Sequence, residues 1–374
     1  MFGRSRQIKA IERWAQSIEM GFSPDPLCFI GPPGAGKTAL LKYAKQTLIT
    51  KNWLCGYSEA SPDTSSAIED FLNDARRSLP AGKIAEKFLS RITEVSISGP
   101  GVGAGIKLGE ASNRTAYSRL VDLFTAIGDL AKRSGVGVAL LIDEAQALPA
   151  GDLRLLLRCI RSVDNYPVSI IIAGLPALVW DIVESDSGRA TGEKFRIFLV
   201  PELTPGESLQ ALYMPIDDAD GAIRETQLRR MVHFTEGHPL TLRILGAAAW
   251  EAADNTILDD RPLAIEESHV SEAIQETTRQ LWLAYYEPMW RKSSAEEREL
   301  IISIAAKQAP RGNDWLSASE DRAWFLEGND LLSWLWHAAN GDTISSLANR
   351  GVISMIHPDE FTIPGFGRFV QHYK

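Results

Sequence analysis

The sequence predicts an α/β fold in which a parallel sheet of five strands is covered by helices and followed by a mainly helical second half. Three observations carry this prediction. Short apolar runs alternate with segments of helical periodicity through the first half, and this alternation is typical of a parallel sheet with helices on both faces. The run at 136–142 is apolar throughout, as expected of a central strand that is buried on both faces. Beyond residue 201 the strand pattern gives way to helices.

Each element of the first half follows from its own pattern. The strands are expected at 27–30, 52–57, 136–142, 168–173 and 196–200. The helices are expected at 4–20, 39–48, 64–79, 115–133 and 152–163. The first helix is amphipathic, because its apolar residues recur every three or four positions. Its apolar face is formed by Ile8, Ile11, Trp14, Ala15 and Ile18.

A glycine-rich stretch at 95–108 interrupts this alternation. Its glycines do not fit the spacing G-x-G-x-x-G of a dinucleotide-binding loop. We therefore interpret the stretch as a hairpin or loop inserted in the core rather than as a second nucleotide site.

Composition excludes several classes of protein. Of the 374 residues, 45% are apolar and 23% charged, which is ordinary for a globular protein of two or three domains. No apolar run approaches the roughly 20 residues of a membrane span, and we expect no membrane association. The first residues lack the apolar core of a signal peptide, and three cysteines form no disulfide framework, so a cytoplasmic location is expected. A net charge of −9 gives no overall attraction to nucleic acid.

A phosphate-binding loop is predicted between the first strand and the second helix. It reads Gly31-Pro32-Pro33-Gly34-Ala35-Gly36-Lys37-Thr38, which fits the pattern G-x-x-x-x-G-K-[ST]. The glycines let successive N–H groups point at phosphate oxygens, and the helix that starts near Lys37 and continues through Ala39 adds its positive dipole end. Lys37 is expected to contact the β- and γ-phosphates, and Thr38 to bind Mg²⁺. The alternative is a Gly/Pro-rich turn that binds nothing, and the strand–loop–helix context argues against it.

An acidic pair follows the apolar run at 136–142. Asp143 is expected to be the second partner of Mg²⁺, opposite Thr38, and Glu144 is expected to orient and deprotonate the attacking water. The alternative is that the pair only caps a helix. The separate phosphate loop favours the nucleotide reading, which predicts ATP and Mg²⁺ as ligands.

The second half divides into two predicted regions. Thr204-Pro205-Gly206-Glu207 forms a capping box at the start of three helices at about 205–213, 224–235 and 240–253, which we interpret as a helical lid. A second capping box, Ser294-Ala295-Glu296-Glu297, opens another helix. Further helices are expected at 269–286 and 320–339. The predicted domains are therefore a P-loop ATPase core at 1–202, a helical lid at 203–268 and a C-terminal domain at 269–374.

The C-terminal domain is expected to be winged-helix-like. A short helix at 344–350, ended by Gly351, precedes a predicted hairpin of 352–356 and 361–363. Residues 269–374 contain 10 lysines and arginines against 14 aspartates and glutamates, a net charge of −4. A domain that reads DNA normally concentrates positive charge, and here the short helix offers only Arg350.

These motifs resemble those of AAA+/STAND-like P-loop ATPases, and in particular the bacterial and archaeal ATPases related to the origin-recognition and transposition ATPases. The resemblance covers residues 1–255 well and 361–367 more loosely. It rests on the phosphate loop and on Phe2-Gly3-Arg4, Leu141-Ile142-Asp143-Glu144-Ala145-Gln146, Ala173-Gly174-Leu175-Pro176 and Gly237-His238-Pro239-Leu240. It implies a sheet of strand order 5-1-4-3-2, a lid, ATP-driven self-association and, in many members, a C-terminal winged helix.

The sequence departs from this family at two positions. Relatives carry a polar sensor residue at the end of the fourth strand, where this chain has Ala173-Gly174-Leu175. Many relatives also carry a lid arginine at the position of Leu240, for which Arg243 is only a weak substitute. The Gly-His-Pro turn resembles instead that of STAND switches, in which the proline, here Pro239, contacts the nucleotide. These features favour a slow switch over a fast motor.

The resemblance also implies an arginine that enters the site of a neighbouring subunit from between the fourth and fifth strands. Arg189 and Arg196 are the candidates, and the alternative for each is a solvated surface charge. We therefore expect ATP to promote a homo-oligomer.

Two hypotheses of function remain. The first is a slowly hydrolysing ATPase switch whose nucleotide state controls assembly with itself or with an unidentified protein partner. The second is a DNA-binding ATPase of replication, transposition or mobile-element biology. The acidic C-terminal domain favours the first.

Overall fold

The computed structural model describes residues 2–20, 24–60, 113–179, 196–255, 263–307, 343–354 and 358–373. The predicted helices at 64–79 and 320–339, the stretch at 95–108 and Arg189 lie outside these residues. The chain divides into two compact units. The α/β unit comprises Ser5–Ile30 and Lys37–Phe198, and the helical unit comprises Met1–Arg4, Gly31–Gly36 and Leu199–Lys374. The predicted three-domain boundaries stay a prediction.

The sheet of the α/β unit has five strands in the order β2-β3-β4-β1-β5, which confirms the expected order 5-1-4-3-2. The strands are β1 Leu27–Ile30, β2 Leu54–Glu59, β3 Val138–Asp143, β4 Val168–Gly174 and β5 Arg196–Leu199. β2, β3, β4 and β1 pair in parallel. The register sets Glu59 of β2 beside Asp143 of β3, so that both strands end at the same edge of the sheet.

Burial explains why these segments became strands. Every residue of β1, β3 and β4 is buried, as the apolar runs predicted for strands that are covered on both faces. Four helices of this unit are described: α1 Ser5–Glu19, α2 Lys37–Thr50, α3 Asn113–Ser134 and α4 Ala150–Ser162. α1 buries its predicted face except Ile8, which is half-buried, and adds Gln7 and Ala10.

The first part of the helical unit contains the three helices that we predicted as a lid. They are α5 Pro205–Asp218, α6 Glu225–Thr235 and α7 Pro239–Asp254. The capping box at α5 is formed as predicted, with Glu207 N–H donating to Thr204 and Thr204 N–H donating to Glu207. α5 runs past its expected end and past Pro215, because the buried Ile216 anchors its last turn.

The described residues of this unit form two hydrophobic cores, and α8 Glu267–Leu281 contributes buried residues to both. It buries Val270 and Ala273 against the lid helices and Leu281 in the second core. It continues through a π-helical turn, Trp282–Tyr286, into α9 Glu287–Arg291. The second core also takes side chains from α10 Ala295–Lys307, α11 Thr343–Asn349 and α12 Phe366–Tyr373.

The winged-helix expectation for the C-terminal region is not confirmed. The described residues show one antiparallel bridge, Ile353 with Phe361, where a hairpin was expected, and residues 355–357 are outside the description. α12 was not predicted. It packs Phe366 and Phe369 into the second core, and Trp282 contacts Phe369 edge-on at 4.5 Å between ring centroids.

Within the described ranges, no helix is both long and apolar enough to span a bilayer.

Candidate nucleotide-binding site

The phosphate loop lies between β1 and the first residue of α2, as the sequence predicts. Gly34 and Gly36 have φ angles of +77° and +96°, a region that side-chain-bearing residues rarely adopt. The spacing of the motif therefore places glycine where the backbone requires it. α2 begins at Lys37, so the N–H groups of its first turn have no partner within the helix and can bind an anion.

The lid turn holds two carbonyl oxygens of this loop. His238 Nε2 lies 2.9 Å from the Pro33 carbonyl oxygen, and Leu240 N–H donates to the Gly34 carbonyl at 3.2 Å. His238 is fully buried, and a Cβ at Gly34 would lie 2.7 Å from its ring. The helix α7, which begins with Pro239, is thereby bonded to the phosphate loop through its first turn.

The contacts of His238 also fix its tautomer. A carbonyl oxygen only accepts, so Nε2 carries the proton that goes to Pro33. Nδ1 then accepts, from the backbone N–H of Thr241 at 3.4 Å and from its hydroxyl at 2.7 Å. The ring is neutral and acts as a bridge between the start of α7 and the loop.

Arg4 holds a third carbonyl of the loop. Its Nη2 atom donates to the Ala35 carbonyl at 2.8 Å and to the Pro201 carbonyl at 2.7 Å. The side chain is buried, and this burial lowers the pKa of Arg4 to about 10 in spite of Glu207 and Glu202 nearby. The carbonyls of three consecutive residues, 33 to 35, are thus all bonded within the helical unit.

These bonds orient the opposite side of the loop. In a trans peptide the C=O and N–H groups point in opposite directions, and the chain has no cis peptide bond in its described residues. The N–H groups of Gly34 and Gly36 therefore point away from His238 and Arg4. The N–H of Ala35 closes a turn on the Pro32 carbonyl at 3.3 Å.

Asp143 ends β3 with its carboxylate fixed at both oxygens. The Tyr57 hydroxyl donates to Oδ2 at 3.0 Å, and the Glu144 N–H donates to Oδ1 at 3.0 Å. Burial together with the Asp143 charge and hydrogen bond raises the pKa of Tyr57, so this hydroxyl stays a donor. Each carboxylate oxygen keeps a lone pair for a metal-bound water.

Glu144 occupies an unusual conformation directly after Asp143. Its φ is +49°, in the left-handed region that costs a non-glycine residue about 1 kcal/mol. Its carboxylate Oε2 accepts a hydrogen bond of 2.5 Å from the Gln146 side chain. The conformation turns the chain out of β3 into the 3₁₀ turn Ala145–Ala147.

The ammonium group of Lys37 interacts electrostatically with the carboxylates of both Glu144 and Asp143. It is buried, and this burial lowers its pKa, while the charges of Glu144 and Asp143 act in the opposite direction. A buried ammonium beside two carboxylates is suited to an anionic ligand, because a phosphate supplies the further negative charge that stabilises it.

The donor set fits magnesium. Thr38 and Asp143 offer a hydroxyl and a carboxylate, and Mg²⁺ is usually held by one or two protein oxygens together with phosphates and water. In the part of the chain that the structure describes, no cluster of three or more His, Cys, Asp or Glu side chains forms a closed metal site.

For the other site residues predicted from the sequence, the structure gives few contacts or none. Arg196 begins β5, is exposed, and holds its guanidinium 5.6 Å from the centroid of the Phe198 ring. Ala39 is exposed on α2. Arg243 is exposed on α7. Arg189 has no described position, and the assignments of all site residues stay predictions.

Sequence reasoning missed four residues that shape the site: Arg4, Tyr57, Gln146 and His238. Three of them stood in stretches already quoted for the family resemblance. Tyr57 could have been suspected only because it is an aromatic residue with a hydroxyl group in a largely buried strand. Their partners are far along the chain, so local spacing could not reveal them.

Comparison with known proteins agrees with this geometry. Residues 1–172 match the model of the AAA ATPase domain family. The matched stretch contains both the phosphate loop and the acidic pair, and the five-stranded parallel sheet of the chain is that of the P-loop fold. No curated protein sequence matches the chain.

Three solved structures, all archaeal, share the fold at low sequence identity. A Walker-type ATPase of Pyrococcus abyssi has a TM-score of 0.59 and 15% identity, and the match covers 99% of this chain and 96% of that one. The Aeropyrum pernix ORC2 protein, in its ADPNP–ADP complexes, has a TM-score of 0.56 and 14% identity, covering 99% and 94%. The Cdc6p protein of Pyrobaculum aerophilum has a TM-score of 0.51 and 15% identity, covering 81% and 74%.

Proposed function

We propose that this chain is an ATP-binding, slowly hydrolysing switch whose nucleotide state controls assembly with itself or with a protein partner. The observation that carries the proposal is the hydrogen bond between His238 of the lid turn and the Pro33 carbonyl of the phosphate loop. Any change in the loop on binding or losing phosphate acts directly on the first turn of α7. Nucleotide state is thereby connected to the helices that follow.

The roles of the site residues follow from their chemistry. The N–H groups of residues 31–36 and the Lys37 ammonium would bind the phosphates of ATP. Thr38 and Asp143 would hold Mg²⁺, which neutralises charge that develops on the phosphates. Glu144 would accept a proton from the attacking water, and Pro239 would lie against the nucleotide at the start of α7.

Slow hydrolysis is supported by what the site lacks among its described residues. Gly174 ends β4 without a side chain, where a polar group would otherwise contact the γ-phosphate. Leu240 cannot supply the positive charge of a lid arginine. Each missing contact removes a stabilising interaction from the transition state, and a slower turnover is the consequence.

The experiment compares nucleotide binding, turnover and mass in three variants. Lys37→Ala should lose nucleotide binding, and Glu144→Gln should bind ATP but not hydrolyse it. Lys42→Ala changes an exposed lysine of the same helix and should behave as wild type. Light scattering with ATP, ADP and no nucleotide should give the largest mass for Glu144→Gln with ATP. Equal turnover of wild type and Glu144→Gln would refute the assignment.

A trans-acting arginine is the part of the assembly proposal that can be tested alone. Arg196→Ala, or Arg189→Ala, should bind ATP normally and hydrolyse it poorly. Mixing the arginine variant with Glu144→Gln should restore activity at interfaces that combine an intact glutamate with an intact arginine. The control replaces Glu144→Gln by a double variant that also lacks the arginine, and it should restore nothing. Full activity of a monomer would exclude the mechanism.

The DNA-binding alternative is supported by the fold shared with ORC and Cdc6 proteins, but the charges of the C-terminal region argue against it. Arg350, which directly follows α11 and is the one basic residue of the segment predicted as the short helix, donates to the Lys292 carbonyl and pairs with Glu297 at 2.8 Å. Its charge is therefore bound within the chain rather than offered to phosphate. A gel shift of the full chain over a salt series, with and without ATP, tests the alternative, since tight and salt-sensitive binding would favour it.

A further inference from the structure

The side chain of Gln146 connects the acidic end of β3 to the end of β4. Its Nε2 atom donates to Glu144 Oε2 at 2.5 Å, and its Oε1 atom accepts from the Leu175 backbone N–H at 2.9 Å. The orientation of the amide is fixed by chemistry. A backbone N–H can only donate and a carboxylate can only accept, so only one of the two amide orientations satisfies both neighbours.

We propose that Gln146 is a positioning residue: it ties the Glu144 carboxylate, which follows β3, to the end of β4, so that the carboxylate is placed to accept a proton from the water that attacks ATP. This inference rests on the proposed role of Glu144 as the general base. Gln146 itself contacts no reacting atom. It acts by removing the rotational freedom of a half-buried glutamate, whose side chain otherwise samples several rotamers.

The backbone at Glu144 makes such support necessary. Its left-handed conformation fixes the direction in which the side chain leaves the chain, but not where the carboxylate ends. The hydrogen bond from Gln146 fixes the position of the Glu144 carboxylate. A base that is displaced by about 1 Å from its productive position can lose up to about a hundredfold in rate, so this bond matters for turnover.

The end of β4 is shaped to receive the Gln146 amide. A Cβ atom on Gly174 would lie 2.4 Å from Gln146 Oε1, which is closer than any contact allows. The other near atoms are Leu178 Cδ2 at 2.9 Å, at the end of a flexible side chain, and the Ala145 nitrogen at 3.5 Å. The absence of a side chain at Gly174 therefore has a structural reason: the space is taken by Gln146.

The first test replaces Gln146 in the full chain. Gln146→Ala should lower kcat by about tenfold while KM and the Kd for ATP stay within about twofold, because the bond affects the base and not the phosphates. Gln146→Glu has nearly the same size but offers no proton to Glu144, so its kcat should fall at least as far. A rise in KM or in the Kd for ATP without a fall in kcat would overturn the proposal.

The second test uses Gly174 to displace the amide without altering it. Gly174→Ala should lower kcat about as much as Gln146→Ala, because the new Cβ removes the amide from its place. In the double variant Gln146→Ala/Gly174→Ala, the space is free again, and kcat should equal that of Gln146→Ala alone. A double variant whose loss is the product of the two single losses would show that the residues act independently and would overturn the proposal.

Two controls separate this inference from the proposed function. Glu144→Gln is measured beside the others: if it hydrolyses ATP as fast as wild type, Glu144 is not the base and both proposals fall. If Glu144→Gln is inactive and Gln146→Ala and Gln146→Glu retain wild-type kcat, only the role of Gln146 is refuted. The midpoint of thermal unfolding is recorded for each variant. If Gln146→Ala does not fold, the kcat values of Gln146→Glu and Gly174→Ala still test the role of Gln146.

Discussion

The phosphate loop and the acidic end of β3 are held in place by different means. The loop is held through its backbone, because His238, Leu240 and Arg4 bond to the carbonyl oxygens of three consecutive residues. The acidic end of β3 is held through side chains, by Tyr57 on one carboxylate and by Gln146 on the next. We infer that nucleotide affinity depends on the backbone contacts, whereas turnover depends on the side-chain contacts.

The largest effect is expected from Arg4→Ala. It removes the donor from the buried Ala35 carbonyl and from the half-buried Pro201 carbonyl, at a cost of about 2–4 kcal/mol in the free energy of unfolding. The released loop should also bind ATP at least about tenfold more weakly, since its N–H groups lose their fixed direction. Urea unfolding and a fluorescent-nucleotide titration measure the two effects.

The matched control for Arg4 is Arg6→Ala, which removes an exposed arginine two residues away. It should change both quantities little. Arg4→Lys should recover only part of the loss, because a single ammonium lacks the planar fork of donors that a guanidinium offers. An unchanged Kd for ATP in Arg4→Ala would contradict the inference that nucleotide affinity depends on the contacts to the backbone carbonyls of the loop.

His238→Ala is expected to have the next largest effect. The substitution removes the donor to the Pro33 carbonyl, so the Kd for ATP should rise by about five- to tenfold. Turnover of bound ATP should stay close to wild type, because no contact of Glu144 is changed. His372→Ala, at an exposed histidine, is the control. A fall in kcat at unchanged Kd would reverse our assignment of affinity to the backbone contacts.

The predictability of the site from sequence follows the range of its contacts. The phosphate loop and the acidic pair could be proposed from the sequence because each motif is recognised by residues close together in the chain and by the strand before it. The contacts that hold them could not, because Arg4 reaches Ala35 across 31 positions and His238 reaches Pro33 across 205. Only the fold brings such residues together.

The fold shows the same distinction. β1, β3 and β4 were predictable because continuous burial leaves a clear apolar pattern, whereas the strand order, which is set by contacts far apart in the chain, was expected only from the family resemblance and is confirmed. α12 was not predicted, although Phe366, Phe369 and Val370 have helical spacing after Gly365, because it closely follows the segment predicted as a hairpin. The π-helical turn Trp282–Tyr286 could not be predicted, because one extra residue in a turn changes the apolar period too little to detect.

The smallest effect is expected from a substitution of Glu297. This residue also makes side-chain contacts, but it is remote in sequence from the acidic end of β3. Glu297, the third residue of α10, accepts from the backbone N–H of the capping residue Ser294 at 2.8 Å and from the Ser346 hydroxyl at 2.7 Å, while Arg350 pairs with it. Burial raises the pKa of Glu297, but the hydrogen bonds of Ser346 and Ser294 and the charge of Arg350 outweigh it and lower the pKa. The carboxylate therefore joins α10 to α11 in its ionised form.

Glu297→Gln should lower the free energy of unfolding by about 1 kcal/mol at neutral pH, because the amide keeps the size but loses the charge. A pKa that is lowered in the folded state stabilises the fold above the ordinary pKa of glutamate, and this stabilisation is lost as the pH falls from that value through the lower pKa of the folded state. The difference from wild type should therefore shrink at acidic pH. Glu296→Gln, an exposed neighbour with the same change of charge, should show little effect at either pH. Because Glu297 touches neither the loop nor Glu144, a change in ATP affinity or turnover would show that side-chain contacts outside the acidic end of β3 also act on the site.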